Sequence, residues 1–330
     1  MKYICISLLL LIAFSQTTVA KNENLLIVTA TSGGTYYPVG VAIGTLITLK
    51  CSKEYGITAT AIDSAGSAEN IQMLENNEAQ LATLQSLFGS MAYQGKGIYK
   101  KPIKRILSIT SLWDNVEHFV LLNRYVKTGN INDLAYLTDK FSIGKRGSGT
   151  EVSGRTILEA IGIEPHKLNL EYLGYQDSVD AMLDNRIAAA NIPAGAPASS
   201  ISMLFAQLGD EKVRILEFTR NQLNEINRSY PVWKRYIIRN NVYPRLKRDV
   251  FTIAQSNFLG VVADLSEETV YIITKTIFEN LPFLYNIHAA TKAIHLENAL
   301  NGVPVPLHPG AAKYYVEKGI KIPERLKVTK

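Results

Sequence analysis

The chain has 330 residues and a formal net charge of +6, too long for one small domain and too mildly basic to argue for nucleic acid. Hydrophobic residues make up 47% and charged residues 19%, which excludes a disordered chain and leaves ample material for a core.

The first element stands apart from that core. Lys2 precedes an almost wholly apolar run over 4–14, followed by Ser15-Gln16-Thr17-Thr18-Val19-Ala20. A basic start, an apolar stretch shorter than the ~18 residues of a membrane span and a small-residue end describe a secretory signal over 1–20, cut after Ala20. No later stretch is as apolar, so the mature protein is expected to be soluble. It loses only Lys2 among its charges and carries 34 − 29 = +5. Cys5 leaves with the signal, so Cys51 stands alone and no intramolecular disulfide is expected.

Leu25-Leu26-Ile27-Val28 reads as a buried strand, and Val39, Ile43, Leu46 and Ile47 recur at helical spacing. Between them lies a glycine-rich turn, Thr31-Ser32-Gly33-Gly34-Thr35-Tyr36-Tyr37. A β-branched strand over 57–62 leads through Ser64-Ala65-Gly66-Ser67 into a helix. Leu81-Ala82-Thr83-Leu84 is a short strand ending at Gln85, and the following helix closes near Gly95. Lys96, Lys100, Lys101, Lys104 and Arg105 read as a solvated loop, with a docking surface as the alternative.

Strands are predicted over 106–112 and 118–122, then over 141–143. The last of these runs through Gly144-Lys145-Arg146-Gly147-Ser148-Gly149-Thr150 into a helix carrying Val152, Ile157, Leu158 and Ile161. A third unit is a helix from Asp177, a strand over 187–190, and the turn Ala194-Gly195-Ala196-Pro197 opening another helix. A strand follows over 213–216. Residues 221–248 show no clear period, and strands are expected at 251–254 and 258–262. Helices are predicted over 267–278, 283–291 and 309–318. This alternation argues α/β. Crossings near 118–123 and 240–250 divide the chain into a first lobe over 21–120, a second over 121–245, and a return to the first over 246–330.

Three turns share one design: a strand end, small residues, then a helix N-terminus with unpaired N–H donors and roughly half a positive charge. They are Ser32-Gly33-Gly34-Thr35, Gly147-Ser148-Gly149-Thr150 and Ala194-Gly195-Ala196-Pro197. Divided between two lobes, they suggest a small anion held between them. Gln85 either caps its helix or reaches into the cleft, and Tyr36 or Tyr37 is placed to close over the first turn. The stretch 149–156 only approximates a nucleotide loop, with Arg155 where lysine is required. No Gly-x-Ser-x-Gly or His-Glu-x-x-His occurs, and the five histidines lack ligand spacing, so neither a cofactor nor a metal is expected. Ser148 is the one candidate nucleophile, which leaves a secreted hydrolase as the alternative from another class.

Several motifs, in order, carry a family resemblance. They include Gly33-Gly34-Thr35-Tyr36-Tyr37-Pro38, Gly66-Ser67-Ala68-Glu69-Asn70, 81–86 with Ala92-Tyr93-Gln94-Gly95, and Gly147-Ser148-Gly149-Thr150-Glu151-Val152. Leu296-Glu297-Asn298-Ala299-Leu300, 304–311, Tyr314-Tyr315 and Lys318-Gly319 complete the set. Over nearly the whole mature chain this resembles the TAXI-type solute receptors of TRAP (tripartite ATP-independent periplasmic) transporters. The resemblance implies a bilobal periplasmic-binding-protein fold of type II-like form that works as a monomer and not as an enzyme. It would capture a small anionic solute, a glutamate-like amino acid or a dicarboxylate such as 2-oxoglutarate, and deliver it to the membrane subunits of the transporter. A membrane sensor is the alternative destination. By motif, the ligand shell would include Gly34, Thr35, Tyr36 and Gln85 from the first lobe and Ser148, Gly149, Thr150 and Gly195 from the second. Lys145 and Arg146 depart from the family's small residues there, and both are expected to face solvent. Asn241, Val242 and Arg245 around Tyr243-Pro244 depart from it too, which bears on ligand identity.

Overall fold

A computed structural model describes residues 22–31 and 33–328. The expected secretory signal and cut after Ala20 lie outside the described residues, as does Ser32 of the first turn. The chain runs β1 (Glu23–Val28), α1 (Tyr36–Tyr55), β2 (Ile57–Ile62), α2 (Ser67–Glu75), β3 (Leu81–Gln85), α3 (Ser86–Gln94) and β4 (Ile106–Val116). It continues through β5 (Phe119–Leu122), β6 (Phe141–Ser142), α4 (Gly149–Ala160), β7 (Leu170–Glu171), α5 (Tyr175–Leu183), β8 (Ala189–Asn191), α6 (Ser199–Leu208) and β9 (Val213–Ile215). The remainder is α7 (Arg220–Asn227), β10 (Trp233–Ile238), β11 (Val250–Val262), α8 (Glu267–Glu279), α9 (Leu281–Tyr285) and α10 (Pro309–Glu317).

Two mixed sheets form two α/β lobes. In the first, β1 lies parallel between β2 and β3, and the long β11 runs antiparallel to β3. One edge of β11 holds β10 and then β3; the other holds β4. The second sheet has the order β7-β6-β8-β5-β9, with β6 parallel to both neighbours. The chain passes between sheets at Glu117 and His118, and returns through β10 and β11. Those crossings touch: Glu117 N donates to Ile253 O at 2.9 Å, and Thr252 Oγ1 donates to Glu117 O at 2.8 Å.

Apolar spacing explains how each helix lies. Val39, Ile43, Leu46 and Ile47 form one stripe of α1, all but sealed from solvent against β1, β2 and α8. Each such side chain contributes roughly 2 kcal/mol on burial. Gly56, left-handed at φ 69°, ends α1 and takes N–H bonds to the carbonyls of Cys51 and Ser52. Cys51 is buried and unpaired, its Sγ 3.2 Å from Thr276 Oγ1.

Several elements differ from the sequence reading. The stretch 221–248 contains α7 and β10. α7 buries only Ile226, so an apolar period has nothing to register there. The two strands expected at 251–254 and 258–262 are one 13-residue strand. Its polar centre, Ser256-Asn257, is buried, and the pairing with β4 shifts register there. The helix expected over 283–291 is the five-residue α9 followed by a 3₁₀ turn at Ala289–Ala293.

Candidate functional site

Five strand–turn–helix units aim at one place. The C-terminal ends of β1, β2 and β3 in the first lobe, and of β6 and β7 in the second, each feed a helix that starts on the interlobe cleft. Thr35 and Tyr36 open α1, Gly66 and Ser67 open α2, and Gln85 precedes α3, its side chain making no capping bond. From the other side Ser148, Gly149 and Thr150 open α4, and Gly174 and Tyr175 open α5. The remaining lining residues are Ala30, Thr31, Gly34, Ala65, Asn115, Lys145, Leu173, Pro193 and Ala194. About 30 Å³ is open to the centre of a water-sized sphere, so the closed cleft suits a small occupant.

Local bonding fixes these turns. Asn70 Nδ2 donates to Thr29 O at 2.7 Å and Thr83 O at 2.9 Å, tying α2 to the ends of β1 and β3. Ser67 Oγ accepts from Gln85 N at 3.0 Å, so the first turn of α2 holds the start of α3. Ser148 Oγ accepts from Glu151 N at 3.1 Å, and the Glu151 carboxylate takes Gly147 N at 2.7 Å. That reciprocal cap leaves the N–H groups of Gly149 and Thr150 without a helical partner. It also commits the Ser148 hydroxyl as an acceptor, a structural task that competes with its use as a nucleophile.

The lobes meet directly beside the cavity. Thr35 Oγ1 donates to Gly195 O at 3.1 Å, and Ser199 Oγ donates to Gly33 O at 3.0 Å. Tyr175 crosses toward the first turn: a Cβ placed on Gly34 would lie 2.9 Å from its ring. A Cβ on Gly149 would lie 3.1 Å from Cβ of Ser67. Both glycines therefore permit lobe-to-lobe approach, besides any access they give a ligand.

Seven of the nine residues singled out in the sequence line the cavity: Gly34, Thr35, Tyr36, Gln85, Ser148, Gly149 and Thr150. Tyr37 does not; it is 38% exposed on the outer side of α1. Tyr36 is buried, its ring edge-on to Trp113 and its hydroxyl 2.5 Å from Asn257 Oδ1. Gly195 stands behind the lining, its backbone against the Trp113 indole and its carbonyl held by Thr35. The expectation that Lys145 and Arg146 both face solvent holds for Arg146, which stacks on Tyr172 at 3.6 Å. Lys145 is exposed as well, and it also borders the cavity. Gly144, at φ 104°, turns the loop between the β6 end and α4.

Asn115, Gly174 and Tyr175 also line the cavity without having been singled out. Asn115 is one of several buried polar residues of β4, with Ser108, Thr110 and Ser111, and it lies past Leu112, where the strand was expected to end. Gly174 and Tyr175 follow β7, whose two residues are too few to show a period.

The electrostatics are one-sided. Lys145 is the single Lys, Arg, Asp or Glu among the lining residues, and five helix N-termini add partial positive charge. Burial raises the Tyr36 and Tyr175 hydroxyls well above the usual phenol range, so both stay neutral donors. Gln85 Oε1 and Asn115 Nδ2 are buried without a hydrogen-bond partner among the described residues. Groups left so are costly unless something enters to meet them. Behind the lining, Glu117 is fully buried. Burial pushes its carboxyl up to about 8, the nearby Trp233 and Asn191 side chains opposing this only in part, so it adds no negative charge at neutral pH. Among the described residues no group of three or more His, Cys, Asp or Glu could hold a metal ion, and no helix is long and apolar enough to cross a membrane.

Two lobes, two crossing strands and a cleft walled by helix N-termini define the periplasmic-binding-protein fold. Residues 27–319 match the NMT1-like family, and the chain belongs to it. Solved structures of similar fold include the periplasmic binding protein BugD, at 15% identity over 90% of this chain and 93% of that one, TM-score 0.51. A protein from Bordetella bronchiseptica RB50 is 16% identical over 92% and 85%, TM-score 0.52. The periplasmic aliphatic sulphonate binding protein SsuA from Escherichia coli is 12% identical over 90% and 84%, TM-score 0.45.

Proposed function

We propose that this chain is a periplasmic solute-binding protein that captures a small organic anion between its lobes and delivers it to a membrane transporter. One observation carries this reading: five helix N-termini and Lys145 surround a single cleft with no carboxylate in its lining. Such a field favours an anion and disfavours its loss to water. Donors come from both lobes, so the ligand gains its full set of contacts only in the closed state and shifts the protein toward it. The motifs from Gly33 to Pro38 and from Gly147 to Val152 support a TAXI-type receptor of a TRAP transporter. They also suggest a glutamate-like amino acid or a dicarboxylate such as 2-oxoglutarate as ligand.

The test is mass spectrometry of small molecules released from gently purified protein, followed by calorimetric titration of each candidate. A released organic acid that rebinds supports the reading. A neutral or cationic ligand bound more tightly than any acid overturns it. Uptake of that acid by proteoliposomes holding a TRAP-type membrane subunit, only when this protein is added, tests the transporter assignment.

A further inference from the structure

We propose that the ligand is an amine-free hydroxy acid, its carboxylate held by Lys145 and the helix N-termini and its hydroxyl held between Gln85 and Asn115. This rests on the anion-binding reading above and narrows it, departing from the amino acid that the motifs suggest.

Recognition of an ammonium group needs a carboxylate or several free carbonyl oxygens; the lining holds no carboxylate, and the carbonyls of its second-lobe wall are already engaged. The acids in the first turns of the surrounding helices, Glu69, Glu151 and Asp177, stay out of the lining. Glu69 accepts from Ala65 N, and Glu151 from Gly147 N and Arg155. The carbonyls at the second-lobe wall are engaged too. Pro193 O accepts from Tyr175 at 2.7 Å, Ala194 O from Val116 N at 2.9 Å and Gly195 O from Thr35 at 3.1 Å. An ammonium there would meet N–H donors and a lysine, losing its hydration for little in return.

The neutral end of the ligand follows from the two open amides. Gln85 is 4% and Asn115 1% exposed. Both belong to the first lobe, Gln85 ending β3 and Asn115 near the end of β4, with β11 between them. A hydroxyl donates once and accepts once, so it satisfies an unpartnered amide oxygen and an unpartnered amide nitrogen together. Turning both amides over together leaves that complementarity intact, whereas turning one alone breaks it.

The experiment is calorimetric titration of matched sets on one carbon skeleton: the 2-hydroxy acid, the 2-amino acid and the unsubstituted acid, across a range of chain lengths. The best hydroxy acid should bind at least about tenfold more tightly than its amino counterpart. Lys145→Gln should weaken it by about tenfold or more without moving the melting temperature, because the side chain is exposed at the cleft mouth. Asn115→Leu should bring the hydroxy acid down to the unsubstituted acid. An amino acid that binds as tightly as its hydroxy counterpart overturns this inference and leaves the anion reading standing. If no acid of any set binds, the anion reading falls and the inference falls with it.

Discussion

Gly149 shows how one missing methyl group sets the closed state. Its nearest neighbour for a Cβ is Ser67 of the opposite lobe, and its backbone φ lies outside the left-handed region. Gly149→Val should therefore fold normally and fail to close. Affinity should drop on the order of a hundredfold, as overpacking of a few kcal/mol implies, with the unfolding midpoint moved by only about 2 °C. Calorimetry beside a thermal melt separates the two effects. Glu117 and His118 make a second prediction. Burial holds His118 down to about 4, its ring bonded to Ile192 O and the Tyr243 hydroxyl. Below 6.5 the unfolded chain takes up a proton that folded His118 refuses, so stability falls with acid. Glu117 acts oppositely: above 4.5 its unfolded carboxyl has lost the proton that the folded one keeps until about 8, so stability falls as pH rises. Between 4.5 and 6.5 the two slopes cancel. From 6.5 to about 8 only the Glu117 slope remains, on the order of 1 kcal/mol per pH unit. Melts of Glu117→Gln should be flat across that upper window while the native protein declines.

At the scale of the element, the proposed site would make the cap of α4 join stability to binding, while the cap of α7 would serve stability alone. Thr219 and Gln222 form a capping box at α7, remote from the cavity lining. Ser148→Ala and Thr219→Ala should each cost about 1 kcal/mol, read as similar drops in melting temperature. Ligand affinity should fall only for Ser148→Ala. The same pair explains what was legible. The turn at 147–150 announces itself by glycines, a capping serine and a following apolar period, and the structure brings it to the cavity. The Thr219-x-x-Gln222 signature was equally present before α7, but a helix that buries one residue offers no stripe to confirm it. β10 hides for a related reason: an edge strand with Lys234 and Arg235 exposed lacks clean alternation. Tyr37 and Gly195 show the limit at the site, since adjacency in sequence to a glycine turn cannot tell which of two neighbouring side chains a helix turns inward. Lys145 was legible as a departure, and only the path of the loop around Gly144 decides where its side chain goes.

Over the whole molecule, the proposed closure would bring the second lobe onto Trp113. The indole lies edge-on to Tyr36 and packs against the Gly195 backbone, so its surroundings change whenever the lobes separate. Trp233, the other tryptophan, is buried in the crossing strand β10, away from the cavity lining. Ligand should therefore shift tryptophan emission in the native protein and in Trp233→Phe, and leave it unmoved in Trp113→Phe. An unchanged response in Trp113→Phe would place the moving contact elsewhere.

The bonded pair of crossings has a consequence for descent as well as for motion. Glu117 on the way out lies within hydrogen-bonding distance of Thr252 and Ile253 on the way back. The second lobe is thus an insert whose two ends meet on one ribbon, with the same host sheet before and after it. Recombination could exchange the entire insert without disturbing the host. Half of the proposed site would travel with it: Lys145, the cap at Ser148 and the wall at Tyr175 in one cassette, set against Gln85 and Asn115 in the host.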